Sequence, residues 1–408
     1  MRRRPSRLAL HTAVAVAVLG AVLVAPAASA QTTPTTTPTA TATTGSAGAP
    51  IVVHFVNLDA TSSTVPARQG VAAAVKAINR SGGIGGRTLE IVECLTDQTP
   101  ETGKACIDAA IAAKPTAVFA VQPGTASDSV PALTTAGVPY VAQTCNTSTT
   151  LGGQYTTFCF GSDFVGLYAS SANYLKTLGT VKRALLTFVN VPAATTGMKA
   201  YADPTMQRAG ITPVELPIPE GTADLAPTLV PALQGNDPDT VISLLTGPGC
   251  VSTMKVKTEQ QSTKPFVFPA MCTDPDVVND GGAGAKGSLF VRQTIALDGK
   301  DADVKAYRKA MHRFSPKADP DDVYAQAGFA GIENLAAALG QVPAGTAVDA
   351  TSATAALRAT KQVPMFLTPG GTYSCDGTAY PGLKALCSIQ SHVIEYAGNG
   401  KWTDKGVF

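Results

Sequence analysis

The sequence predicts an α/β protein with two doubly wound parallel sheets, and three observations lead there. Strand-like and helix-like segments alternate from Ile51 to Phe268 with short loops, the pattern of a parallel sheet covered on both faces. The alternation runs through two successive series. Apolar residues make up 45% of the chain but aromatics only 6%, so the core is built from Ala, Val, Ile and Leu. That suits closely packed α/β layers better than an aromatic-rich sandwich. At 408 residues, one or two domains of ordinary size with a large core are expected.

Residues 1–30 have the three parts of a secretory signal: a basic start, an apolar run from Ala13 to Ala25, and Ala28-Ser29-Ala30 as a small-residue cleavage site. The apolar run is too short for a stable membrane anchor, and no cysteine follows it that would carry a lipid. A secreted protein cleaved after Ala30, with no lipid anchor, is expected. Residues 31–49 (QTTPTTTPTATATTGSAGA) are a Thr/Pro-rich linker that cannot bury enough apolar surface to offset its ordering entropy. Removing Arg2, Arg3, Arg4 and Arg7 from the 31 basic residues leaves 27 against 29 acidic, a net charge of −2. Such a balance gives no field favouring nucleic acid or an anionic membrane.

Strands are expected at Ile51–Leu58, Leu89–Leu95, Ala117–Val121, Tyr140–Ala142 and Thr156–Phe160, with helices at Arg68–Asn79, Glu101–Ala113 and Ser127–Thr135 between them. In the first helix Ala73, Ala74, Ala77 and Ile78 form an apolar stripe at helical spacing. Gly82 and Gly83 end it, and Gly85 and Gly86 make a second tight turn before the next strand. A second series follows an opening helix from Asp163 to Leu178. Its strands are Ala184–Val189, Pro213–Ile218, Val241–Leu245 and Phe266–Phe268, and its helices Thr196–Ala209, Ala223–Leu233 and Val251–Gln260. Then come a strand at Leu289–Ile295, helices at Ala302–Arg313, Asp322–Leu339 and Ser352–Thr360, and a tail of short strands with turns at Asp376-Gly377 and Gly398-Asn399-Gly400.

The string Ile78-Asn79, Gly82-Gly83-Ile84, Gly86-Arg87, Leu89 and Asp97 resembles the type I periplasmic solute-binding proteins of ABC importers, in the branched-chain amino acid (Leu/Ile/Val) branch. The resemblance runs from about residue 50 to 408. It implies two doubly wound parallel-sheet lobes joined by a three-crossing hinge, an N-terminal lobe of 50–163 and 292–363 and a C-terminal lobe of 164–291 and 364–408. The crossings fall near Asp163, Arg292 and Pro364. The function it implies is extracytoplasmic capture of a small polar molecule between two closing lobes for an ABC permease, by a monomer without cofactor.

In open parallel sheets, ligands bind outside the carboxyl ends of the strands. The first series supplies Ser62 and Ser63, Gly124 and Thr125, and Thr144 and Asn146 there, as amides and hydroxyls for a carboxylate or amide oxygen. The second supplies Thr196, Thr246, Met271 and Cys272. Amino-acid-binding members of the family place aromatics and an acidic residue on these loops, whereas here Ser63, Thr196 and Met271 or Cys272 stand near those positions. A buried ammonium without a carboxylate is costly, so Leu/Ile/Val specificity is not assumed, and beside amino acids, amides, ureas, small carboxylates and other neutral polar solutes remain open as ligands. Hydroxyls at helix starts also serve simply as caps.

Eight cysteines in an exported chain are expected to be oxidised. Of 105 pairings, neighbouring positions suggest Cys94–Cys106, Cys145–Cys159, Cys250–Cys272 and Cys375–Cys387. With no CxxC, no metal site is expected. The histidines beyond the leader, His54, His312 and His392, sit in no partnered motif, and GxSxG, HExxH and P-loop signatures are absent. No catalytic residue is therefore assigned. A secreted hydrolase on an α/β scaffold and a stand-alone sensor or scavenger are the alternatives.

Overall fold

The computed structural model describes residues 48–58, 64–97, 99–121, 124–152, 156–297 and 300–408. The expected signal and nearly all of the Thr/Pro-rich stretch lie outside them. Strands β1 (Ile51–Leu58), β2 (Leu89–Thr96), β3 (Ala117–Ala120), β4 (Tyr140–Thr144) and β5 (Thr157–Gly161) form a five-stranded sheet in the order β2-β1-β3-β4-β5, every pair parallel. Strands β6 (Arg183–Val189), β7 (Thr212–Ile218), β8 (Thr240–Leu244), β9 (Phe266–Pro269) and β10 (Leu289–Arg292) repeat that order as β7-β6-β8-β9-β10. The second sheet is extended antiparallel by β13 (His392–Gly398) and β14 (Lys401–Val407), beyond the short hairpin of β11 (Val363–Pro364) and β12 (Thr372–Tyr373). In each sheet the order reverses beside the first strand of its series, between β1 and β3 and between β6 and β8. That reversal opens a crevice at the strands' carboxyl ends.

The glycine-rich turn after the first helix has a local cause. Asn79 Nδ2 donates to the Leu89 carbonyl (2.8 Å), and Asn79 Oδ1 accepts from the Leu89 N–H (2.7 Å). The helix end is thereby tied to the start of β2. Gly83 has φ +73°, and a side chain there would collide with the Arg87 carbonyl, so the turn needs glycine twice over. Glycines in helix Val65–Arg80 and its neighbour allow a close helix–helix contact. Gly70 faces the Ala325 backbone and Gly328 faces the Ala67 backbone, so two helices meet at glycine, with helix Val323–Leu339 as the partner.

Several helices begin earlier than their apolar pattern suggests, because proline opens them. Pro66, Pro192 and Pro248 occupy first-turn positions, where a missing N–H costs nothing. The expected helix 127–135 is a 3₁₀ turn Gly124–Ser129 followed by Val130–Thr135. The expected helix 196–209 contains a π segment Met198–Ala202 just before Pro204, where the ring removes a helical hydrogen bond.

Helices Ala302–Phe314, Val323–Leu339 and Ala350–Ala359 return to the first sheet, where Tyr307, Phe329, Leu335 and Leu357 join Phe55 and Phe119 in one core. Residues from Pro364 do not pass directly to the second sheet. Tyr373 and Cys387 belong to the first core, and Leu383 and Leu386 to the core on the opposite face of the same sheet. Cys159 N–H donates to the Ala385 carbonyl and Cys387 N–H to the Cys159 carbonyl, both at 2.8 Å, so the segment runs alongside β5. The chain enters β13 only after this segment, at His392. The physical reason is the apolar content of this segment, which has an exposed edge strand to cover.

Disulfides join Cys94 to Cys106, Cys145 to Cys159, Cys250 to Cys272 and Cys375 to Cys387. Among the described residues no helix is long and apolar enough to cross a membrane.

Helix Val323–Leu339 carries a titration that stability measurements can read. Burial, with Asp303 nearby, raises the Glu333 carboxyl to about 7. A raised acid binds its proton more tightly in the folded state, so stability falls as pH rises from about 4.5 to 7 and is level above that. Glu333→Gln should therefore melt higher than the parent above pH 7 and equal to it below pH 4.5. Parallel melting curves across pH check this, and an unchanged difference at every pH contradicts it.

Candidate functional site

The segment that leaves the first sheet's layer after β5 and the one that returns to it after β10 lie side by side, against residues 367–368. Gly161 ends β5, and a side chain there would strike the Gln293 amide. Gln293 follows β10, and its Nε2 donates to the Phe160 carbonyl (3.1 Å). Its own carbonyl accepts from Thr368 Oγ1 (2.7 Å), and Ile295 N–H donates to the Leu367 carbonyl (2.8 Å). Next to these segments the carboxyl ends of the two sheets face a shared space.

Two cavities occupy it. The smaller, about 50 Å³, is walled by Gln143 and Thr144 at the end of β4, Asp163, Met271 after β9, Arg292 and Tyr324. Fifty cubic ångströms holds a water or two, or one end of a solute. The larger, about 680 Å³, falls within the range of small-molecule sites. It shares Met271, Arg292, Val323 and Tyr324 with the smaller, and adds Val278, Leu297 and Trp402 as apolar wall. Its polar rim holds Asp274, Asp319, Asp321 and Asp322. A third space of about 200 Å³, under Gly124, Thr144 and Asn146, lies within the first sheet's layer.

Arg292 is the central charge. It ends a strand of buried residues and is only 6% exposed. Its Nη2 donates to Gln326 Oε1 (2.9 Å) and its Nη1 to Thr273 Oγ1 (3.4 Å), both neutral, and Nε has no partner. Burial lowers its pKa to about 10, which leaves it cationic at neutral pH. Asp321 and Asp322 act on it through space, but neither makes a hydrogen bond or ion pair with it. Asp322 Oδ1 caps the N–H groups of Tyr324 (2.8 Å) and Ala325 (3.0 Å), and Asp321 Oδ1 pairs with Arg308 (2.7 Å).

Gln143, 1% exposed, donates Nε2 to Gln293 Oε1 (3.0 Å) and leaves Oε1 unpartnered. Asp163 opens helix Asp163–Leu178 and accepts from Asn146 Nδ2 (3.4 Å). Desolvation raises its carboxyl above the usual range, against the hydrogen bonds from Asn146 and Thr144 that lower it. Burial, with Asp163 and Asp322 adding, likewise raises the Tyr324 phenol. The site thus offers one buried cation, a half-buried carboxyl and unpartnered buried amide and guanidinium atoms. Two such atoms left without partners are costly in a finished core.

The residues expected from sequence divide into groups. Thr144 lines the small cavity and the 200 Å³ space, which Gly124 and Asn146 also line, and Met271 lines both cavities between the sheets. Thr125 lies in the 3₁₀ turn with its side chain outside the described set, as are Ser62 and Ser63 altogether. Thr196 and Thr246 are exposed and line none of these spaces. Cys272 is fully buried in its disulfide within the second sheet's core, so it cannot face a solute. Gln143, Asp163, Arg292 and Tyr324 were missed. Arg292 did carry a signal, a charge continuing the apolar run Leu289-Phe290-Val291.

Of the histidines, His392 Nδ1 meets Asp404 Oδ1 at 2.9 Å, but His392 is buried and its Nε2 has no hydroxyl or thiol partner. That pair is not a nucleophile-activating arrangement.

The family model described as periplasmic binding protein matches residues 58–384, most of the chain, and the chain belongs to that family. No curated protein matches by sequence. Solved structures of similar fold include a putative branched-chain amino acid ABC transporter from Rhodospirillum rubrum, 13% identical, TM-score 0.69, over 87% of this chain and 99% of that one. Another is a solute-binding protein from R. palustris in complex with 4-hydroxybenzoate, 18% identical, TM-score 0.66, over 88% and 97%. A third is a fatty acid ABC transporter substrate-binding protein from Thermomonospora curvata, 15% identical, TM-score 0.68, over 90% and 95%.

Proposed function

We propose that this member of the periplasmic binding protein family captures a small organic solute between its two sheets and delivers it to an ABC permease. It acts as an exported monomer that binds neither cofactor nor nucleic acid. The observation that carries the reading is the pair of cavities walled by both sheets and the crossing segments, with Gln143 Oε1 and Arg292 Nε buried and unpartnered beside them. A solute touching Thr144 on one side and Met271 on the other stabilises only the state in which both walls are near. Binding then shifts the population toward closure through flexing of the adjacent crossings. The lobes follow the sheets: 50–163 with about 292–388 in one, and 164–291 with about 389–408 in the other.

Relatives whose structures name 4-hydroxybenzoate and fatty acid as solutes support a small organic ligand over a macromolecular one. The charge balance of the chain without its leader points the same way. A thermal-shift screen of amino acids, amides and organic acids tests the reading. A solute held at 100 times its dissociation constant should add about 2.7 kcal/mol of stability. Thr144→Ala should reduce that shift while leaving the melting temperature without solute within a degree or two. If no solute shifts the transition, or Thr144→Ala is silent for every hit, the cleft is not the binding site.

Gly161→Ala is a second check. Its methyl would force the Gln293 amide away and break the Gln143–Gln293 bond. Affinity for the best solute should fall about tenfold, and titration calorimetry that finds equal affinity would remove this network from the site.

A further inference from the structure

We propose that Arg292 holds a carboxylate of the solute, so that the protein selects organic acids over their neutral analogues. This rests on the cleft reading above and narrows it to a ligand class. Arg292 is more than nine-tenths buried and lies in the wall common to both cavities. A guanidinium has five N–H donors. The hydrogen bonds found use one to Thr273 and one to Gln326, both uncharged, and Nε is left over. A buried cation satisfied only by neutral acceptors is an unfinished ion pair. The nearby carboxylates do not complete it, since neither Asp321 nor Asp322 forms an ion pair with Arg292, one Oδ1 pairing with Arg308 and the other capping its helix. A carboxylate at the cavity wall can accept from the Nη N–H groups that these two bonds leave over.

The rest of the acid has a place. Met271, Val278, Leu297 and Trp402 give the larger cavity an apolar wall starting at the same arginine. Burial of a hydrocarbon body against it adds roughly 25 cal/mol per Å². An acid with an apolar body of benzoate or branched-alkyl size fits both features, whereas the corresponding amide carries the same body without the charge.

The test is calorimetric titration of the exported chain with benzoate against benzamide, and with 4-methylpentanoate against 4-methylpentanamide. At least one acid should bind, with its amide at least tenfold weaker. Arg292→Gln should weaken that acid about a hundredfold and its amide far less, so that the acid–amide ratio collapses, and Arg292→Lys should fall between. Should Arg292→Gln fail to fold, the acid–amide ratio on the unaltered protein decides. An amide as tight as its acid, or an acid indifferent to Arg292→Gln, overturns the role of Arg292 and leaves the cleft reading standing. Binding of none of the four probes, while other solutes bind at Thr144, does the same. Absence of any solute in the wider screen overturns both.

Discussion

Gly328→Ala is expected to destabilise the fold by about 2 kcal/mol or more, although alanine is the better helix former. A Cβ at Gly328 would sit inside contact distance of the Ala67 carbonyl, and one at Gly70 inside that of the Ala325 carbonyl. Both obstacles are backbone, which cannot rotate aside. Overpacking of this kind costs about 1–3 kcal/mol or more, against a propensity gain of at most about 1 kcal/mol. The helices must separate, and one of them, Val323–Leu339, carries Val323 and Tyr324 in the wall of both cavities. Denaturant unfolding should show the loss, and titration of the best solute should show weaker binding at a concentration where the variant is still folded. Gly340→Ala is the control, because the nearest atoms there lie beyond 3.2 Å. Equal stability of Gly328→Ala and the parent would mean the two helices are not in close backbone contact.

Removing the Cys250–Cys272 bridge as a Cys250→Ala, Cys272→Ala pair should cost about 3 kcal/mol, the loop-closure value for a bridge spanning 22 residues. Both cysteines are fully buried in the second core. The bridge ties the start of helix Pro248–Glu259 to the turn Ala270–Thr273, which presents Met271 to the cavities and Thr273 to Arg292. Binding should therefore weaken with stability. The Cys94–Cys106 bridge closes a shorter loop of 12 at a partly exposed position and lies in the first sheet's layer. Its removal should lower stability and leave affinity alone. Guanidinium midpoints and calorimetric affinities of the two double variants, compared side by side, separate these effects. Identical affinity losses would detach the Ala270–Thr273 turn from the site.

The strands of both sheets were legible because buried parallel strands are short apolar runs with glycine and proline between them, as at Ala117–Ala120 and Phe266–Pro269; their order in the sheets was not. Asn79 and the glycines after it were legible for the same reason, since a local string makes a local structure. The site was legible only in part. Thr144 and Met271 sit at strand ends, where the rule for open sheets looks. Arg292 and Tyr324 reach the site from a crossing segment and a helix far along the chain, and pattern alone does not say which loop meets which. Thr196 and Thr246 looked the same in sequence, being hydroxyls at helix starts, yet face solvent. The return of residues 373–387 to the first sheet was hidden because its anchors, Tyr373, Leu383 and Leu386, lie in short irregular segments without periodicity.

The chain's single tryptophan, Trp402, stands in the wall of the larger cavity, packed against Phe290 and Tyr396. It reports directly on whether that space receives the solute. Titrating the best-binding solute while following Trp402 emission should give a saturable one-to-one change whose midpoint equals the calorimetric dissociation constant. Binding heat that saturates while Trp402 emission stays flat would mean that the solute lies elsewhere, and the account of the space between the two sheets would be wrong.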